Sequence, residues 1–152
     1  MERILVVCLG NICRSPMAEG AFRHIAAEMN IDVELDSCGT GNWHAGEAPD
    51  KRMRETAMSH GVDINDLRAR QFKVEDFDTF DRIYVMDTEN RDNVLKLARN
   101  ADEEAKVKLI LNEIYPKQNR SVPDPYFGGQ QGFEDVFEML MSCAKKVLSE
   151  LK

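Results

Sequence analysis

The sequence predicts an α/β fold in which a four-stranded parallel sheet carries helices on both faces. Two observations point there. A continuous apolar run near the start, Arg3 to Cys8, lacks the period-two alternation of a half-solvated strand and reads as a strand covered on both sides. From that point strand-like and helix-like segments alternate, an order that calls for parallel strands joined by right-handed crossovers.

After the first strand, Leu9 to Arg14 is a short loop. Ser15-Pro16 then reads as a helix start, with the Ser15 hydroxyl as N-cap and Pro16 at the first helical position. The helix is predicted to run to about Met29, with Phe22, Ile25, Ala26 and Met29 on one apolar stripe. Val33 to Ser37 is the second strand, Cys38 to Ala48 a loop, and Pro49 to His60 a second helix stopped by Gly61. Phe80 to Met86 is the third strand and Thr88 to Ala98 the third helix, with Val94 and Leu97 inward. Val107 to Leu111 is the fourth strand. Asn112 to Gly132, with three prolines and the Gly128-Gly129 pair, is a loop long enough to suggest function. A last helix runs from Phe133 to Leu151 with Val136, Phe137, Leu140, Met141, Ala144, Val147, Leu148 and Leu151 inward. In such sheets ligands sit beyond the carboxyl ends of the strands, so Cys8, Ser37 and Asp87 are expected to face one crevice.

With 152 residues, 43% of them hydrophobic and 31% charged, the chain suits one domain over 1–152. The six-residue run Ile4 to Leu9 is too short for a membrane span or a signal peptide, so a cytoplasmic protein is expected. Twenty basic against 27 acidic side chains leave a net charge of −7, which argues against nucleic acid and anionic membranes as general partners. Any phosphate site must therefore be local. The four cysteines have irregular spacing and no export context, so free thiols are expected, and no zinc-type spacing of Cys or His occurs.

The chemistry concentrates in Cys8-Leu9-Gly10-Asn11-Ile12-Cys13-Arg14-Ser15. A five-residue loop folding back around a thiol can aim its N–H groups inward as a nest for an oxyanion, and the following helix adds positive potential. Gly10 is expected to supply the turn that other residues resist, Arg14 a planar fork for two phosphate oxygens, and Ser15 a hydrogen bond to the sulfur. The same donors would favour thiolate at Cys8, making it a nucleophile. No Gly-Lys-Ser/Thr follows, which excludes a nucleotide-binding P-loop. Asp124, held between Pro123 and Pro125, is the candidate proton donor for a leaving group. Tyr126 and Phe127 beside it can sandwich a flat ring or pack the loop down, and Trp43-His44 in a glycine-flanked loop pose the same choice.

These blocks resemble the low-molecular-weight protein tyrosine phosphatases, in family order and over nearly the whole chain: residues 7 to 16, then Asp36-Ser37, Gly39-Thr40, Trp43 to Gly46, Ala69-Arg70-Gln71, Met86-Asp87 with Asn90, and Pro123 to Tyr126. The resemblance implies a four-stranded parallel sheet and hydrolysis of phosphotyrosine with neither metal nor cofactor. It makes Cys8 the nucleophile, Arg14 the phosphate clamp, Ser15 the thiolate partner and Asp124 the general acid and later base. Leu9 to Cys13 would bind phosphate, while Asn11 and Ser37 would brace the loop. Trp43, Tyr126 and Phe127 would wall the crevice, Asp87 would support the loop, and Cys13 could trap oxidised Cys8 as a disulfide. The implied partner is a tyrosine-phosphorylated protein, with a bacterial tyrosine autokinase of polysaccharide export as one candidate. One departure is Leu67, where many members carry a His that supports the loop near Glu19, so Glu19 is expected to find another partner.

Three other readings stand beside this one. An arsenate reductase on the same scaffold needs a resolving cysteine pair after the third strand, and Met86 to Asn119 contains none. A protein-arginine phosphatase typically carries Thr where Ile12 stands. A non-catalytic phosphotyrosine-binding module would be expected to lack Cys8 or Asp124, and both are present.

Overall fold

A computed structural model describes residues 1–125 and 129–151. The first strand, β1 (Glu2–Cys8), leads through the cysteine loop into α1 (Arg14–Met29), and β2 (Val33–Gly39) follows. Next come α2 (Lys51–Ser59), a one-turn α3 (Asp76–Thr79), β3 (Arg82–Val85), α4 (Thr88–Leu95) and α5 (Ala101–Lys106). The chain continues through β4 (Val107–Leu109), a 3-10 turn (Ile110–Glu113) and the long α6 (Gln130–Leu151). The four strands form one parallel sheet in the order β2-β1-β3-β4.

Because β1 lies inside the sheet, its alternate side chains serve two cores. Ile4 and Val6 join Met17, Phe22, Met53, Phe133 and Leu140 under α1, α2 and α6. Leu5 and Val7 join Phe72, Phe77, Phe80, Val94 and Leu109 on the other face. This double burial explains the unbroken apolar run. The amino-terminal half of α1 is buried all round, from Arg14 to Phe22, rather than along one stripe.

Several sequence expectations shift. Ser15 is not the N-cap: α1 starts at Arg14 after Cys13, whose side chain makes no capping bond, and the Ser15 hydroxyl is drawn instead into the cysteine loop. At α2 the cap is Asp50, which accepts from the N–H groups of Arg52 and Met53, while Gly61 at φ +80° closes that helix as expected. Leu97 is exposed, because α4 ends at Leu95 before a further helical turn could bury it. The fourth strand is three residues long, and Ile110–Leu111 turn inward in the 3-10 segment. Two short helices, α3 and α5, were not foreseen. The first rests on a tertiary tie, Lys106 donating to the carbonyls of Phe77 and Phe80 at the end of α3, whereas α5 is capped locally, the Asn100 side chain accepting the Glu103 N–H three residues on.

The register places Cys8 beside Gly39 and Val7 beside Val85, so the carboxyl ends of β1, β2 and β3 open on the same edge. Among the described residues no helix is long and apolar enough to cross a membrane.

Candidate active site

The sulfur of Cys8 lies at the mouth of β1, almost wholly buried. It accepts the Asn11 N–H at 3.2 Å and lies 3.1 Å from the Ser15 Oγ. Asn11, at φ +58°, is the left-handed residue that folds the loop back over the sulfur. This corrects the role given to Gly10, whose backbone lies outside the left-handed region. What Gly10 provides is room, since a Cβ there would stand 3.0 Å from the His44 ring. Asn rather than a β-branched residue suits the left-handed position because its short amide hydrogen-bonds locally.

That amide is fully engaged. Asn11 Nδ2 donates to Ser15 Oγ at 2.7 Å and to Ser37 Oγ at 3.1 Å. Ser37 in turn donates to Glu19 Oε1 at 2.7 Å, and the second Glu19 oxygen pairs with Arg23. Arg23 is thus the partner that Glu19 finds on this chain with Leu67 in place of His. Burial raises the Glu19 pKa above the ordinary carboxyl range against the opposing pull of Ser37 and Arg23.

Arg14, also buried, points its fork to the front of the loop. Its Nη1 donates to Asp87 Oδ2 at 2.8 Å and to the Val122 carbonyl at 2.9 Å, while its Nη2 stands 3.9 Å from Asp124 Oδ2. Asp87 also caps α4 through the Asn90 N–H at 2.7 Å, so the carboxylate that orients Arg14 is itself held by a helix. Val122 donates its N–H to the Met86 carbonyl, which ties the segment carrying Asp124 to the end of β3. At the front of α1 no acidic side chain in the first turn offsets the positive helix end.

Together these groups surround a pocket of about 160 Å³ lined by Cys8, Leu9, Gly10, Ile12, Cys13, Arg14, Trp43, His44 and Asp124. Most of the residues singled out in the sequence converge here. Ser37, Asn11 and Glu19 stand behind the loop, and Asp87 beside Arg14. Trp43 is 69% exposed, a pocket wall rather than a core residue, and His44, paired with Glu47 at 3.0 Å, shares that wall. Tyr126 and Phe127 lie outside the described residues. The four cysteines are free. Burial pushes the thiols of Cys13 and Cys38 well up, and raises that of Cys143 to about 12; Asp50 adds to the effect at Cys13. Among the described residues no three His, Cys, Asp or Glu side chains are grouped as for a metal ion.

Sequence reasoning overlooked Arg70. Its N–H donates to Asn11 Oδ1 at 3.0 Å, and its guanidinium joins Asp36 and Asp76. The signal was present in the Ala69-Arg70-Gln71 block, but nothing in the spacing says that Arg70 meets Asn11.

Comparison with known proteins identifies the family. The family model for low molecular weight phosphotyrosine protein phosphatase matches residues 3–152. A putative low molecular weight protein-tyrosine-phosphatase from Synechocystis is 40% identical over 98% of this chain and 96% of its own. A protein tyrosine phosphatase structure from Entamoeba histolytica superposes with a TM-score of 0.92 at 31% identity, covering 99% of this chain and 97% of that one. A structure described as a Drosophila arginine phosphatase superposes with a TM-score of 0.91 at 30% identity, over 100% and 98% of the two chains. The match to the family model along almost the entire chain places this protein among the low molecular weight phosphotyrosine protein phosphatases, which are hydrolases.

Proposed function

We propose that this phosphatase hydrolyses phosphotyrosine in proteins, and small aryl phosphates, through a cysteinyl-phosphate on Cys8. The observation that carries the reading is convergence: a buried sulfur, a buried arginine fork and an aspartate meet at one pocket. Cys8 is the sulfur placed for the attack, while burial holds the thiols of Cys13, Cys38 and Cys143 in their neutral form. The Asn11 N–H is a donor for negative charge on Cys8, and the Ser15 hydroxyl, which lies 3.1 Å from the sulfur and donates to the Cys38 carbonyl at 3.2 Å, can turn its proton to a thiolate.

In the first step the sulfur lone pair forms an S–P bond while the bond from phosphorus to the tyrosyl oxygen breaks. Asp124 gives its proton to that oxygen, so tyrosine leaves neutral. In the second step water attacks phosphorus, Asp124 takes its proton, and the S–P bond breaks to return the thiolate and release phosphate. Arg14 and the amino-terminal end of α1 stabilise the equatorial oxygens in both steps. Asp87 fixes the fork through its 2.8 Å bond.

Trp43 and His44 offer a flat and a polar wall for an aromatic ring. Ile12 in the same lining favours an aryl substrate over phosphoarginine, since it puts an apolar side chain where arginine-directed relatives of this loop carry a hydroxyl. Hydrolysis of para-nitrophenyl phosphate, a phosphotyrosine peptide and phosphoarginine by wild type, Cys8→Ser and Asp124→Ala tests the reading. Aryl turnover should vanish with Cys8→Ser and fall by about 10²–10⁴ with Asp124→Ala. Faster turnover of phosphoarginine than of the tyrosine peptide would overturn the substrate assignment. A tyrosine autokinase is the first protein substrate to seek. Phosphorylated Cys8→Ser pulldowns that recover no such kinase would count against it.

A further inference from the structure

We propose that Arg70 is a positioning residue for phosphoryl transfer, acting through Asn11 on the shape of the cysteine loop; the proposal rests on the reading of that loop as the phosphate site. The left-handed turn at Asn11 holds the loop over Cys8, and the Asn11 side chain is fixed at both ends. Its Nδ2 is fixed by Ser15 and Ser37, and its Oδ1 by the Arg70 N–H at 3.0 Å.

Residues 69–72 form a strap laid against the end of β2. Gly39 donates to the Arg70 carbonyl at 2.8 Å, Phe72 donates to the Gly39 carbonyl at 2.7 Å, and Gln71 Nε2 reaches the Thr40 carbonyl at 3.1 Å. At its other end the strap exchanges backbone bonds with Gly46 and Glu47, in the loop that carries Trp43 and His44. One segment therefore fixes both the back of the phosphate loop and the outer wall of the pocket.

The Arg70 side chain anchors the strap. It forms a parallel pair of bonds to Asp76, Nη1 to Oδ2 at 3.0 Å and Nη2 to Oδ1 at 3.1 Å, and reaches Asp36 Oδ2 from Nε at 3.1 Å. Asp76 is 1% exposed, begins α3 and also accepts the Lys73 N–H, so its side is rigid. Asp36 accepts the N–H of Ser37, the residue whose hydroxyl accepts from Asn11. Both carboxylates thus hold Arg70 in the register that Asn11 needs. A planar fork with donors on two edges meets this geometry, whereas a lysine ammonium is a single point charge.

The test compares Arg70→Lys and Arg70→Gln with wild type on para-nitrophenyl phosphate, each at a temperature where its melting curve shows it folded, with inorganic phosphate as competitive inhibitor. Loosening the loop should lower kcat about tenfold and weaken phosphate inhibition, with the lysine variant recovering only part of the loss. In an Asn11→Ala background Arg70→Lys should cost less than about twofold, because both residues act on the same turn. If Arg70→Gln does not fold, Asp36→Asn, which leaves the Asp76 pair in place, should lower kcat about threefold in the same direction. Folded variants with wild-type kcat and phosphate inhibition, or losses that add in the Asn11→Ala background, would overturn the proposal. Should wild type not turn over aryl phosphate, the proposed function fails, and the positioning claim is read separately from thermal stabilisation by inorganic phosphate. Arg70→Lys must shrink that stabilisation, and an unchanged shift overturns the claim.

Discussion

At Asn11 the backbone enters the left-handed region while the amide spends its donors on Ser15 and Ser37 and its acceptor on Arg70. The family resemblance implied that this residue braces the loop, while residue types and spacing put Cys8, Arg14 and Ser15 in one chemistry because they match what a dianionic oxyanion requires, with Asp124 as the proton donor. The same residue pattern gave the Ser15 hydroxyl two tasks, a helix cap because Ser-Pro before an amphipathic run is the ordinary cap signature, and a partner of the sulfur; the fold keeps the second, at 3.1 Å from Cys8, and not the first. Two predictions belong to single residues. Arg14→Lys keeps the charge but loses the fork that contacts Asp87 and the Val122 carbonyl together; kcat on para-nitrophenyl phosphate should fall by at least about 10², and wild-type turnover would show that charge alone suffices. Glu19 has a pKa raised by burial in the fold, so folding makes its carboxylate harder to charge than in the unfolded chain. Its contribution to stability is complete below the ordinary carboxyl pKa and is lost as pH rises through the raised value. Glu19→Gln is neutral throughout, so its melting temperature should gain on wild type as pH rises above the ordinary carboxyl pKa; a constant difference would contradict the burial effect.

Among the elements, the long ones were legible and the short ones were not. The run in β1 and the stripe of α6 carry enough residues for a period to show, but α3 and α5, of four and six residues, are too short for one: α5 carries only the local signal of Asn100 capping the Glu103 N–H, and α3 is held at its end by Lys106, which folding brings to it. The strap at 69–72 is invisible for the same reason, since its partners at Asp36 and Asn11 lie 34 and 59 residues away. The close approach of β2 to the cysteine loop gives an element-scale prediction. A Cβ on Gly39 would stand 2.6 Å from the Leu9 carbonyl oxygen and 3.1 Å from the Asn11 nitrogen, both backbone atoms that cannot swing aside. Gly39→Ala should therefore cost about 1–3 kcal/mol in urea unfolding and reduce kcat as the loop shifts; an unchanged midpoint with unchanged kcat would show that the loop yields freely.

For the whole molecule, the sheet order puts β1 between β2 and β3, so that the loop following it is supported by Ser37 on one side and, through Arg14, by Asp87 on the other. This convergence at the carboxyl edge was legible from the alternation of strands and helices; the exchange of bonds between distant segments was not. A phosphate ion held by the loop must stabilise the entire fold, because only the folded chain presents the site. At 100 times its dissociation constant the gain is ~2.7 kcal/mol, which raises the melting temperature by several degrees. Cys8→Ser should keep that gain and Arg14→Ala should lose it, as measured by scanning calorimetry with and without phosphate.

The central claim is that the phosphoryl group passes through Cys8. The most direct measurement is intact-mass analysis of enzyme acid-quenched during turnover of para-nitrophenyl phosphate, followed by mapping of the modified peptide, with Asp124→Asn included. Para-nitrophenolate leaves without a proton, so this variant should form the adduct and release it slowly. The account predicts one phosphate per chain, on the peptide containing Cys8, in higher occupancy for Asp124→Asn than for wild type. Steady turnover with an unmodified Cys8, or a phosphate mapped to another side chain, would contradict it.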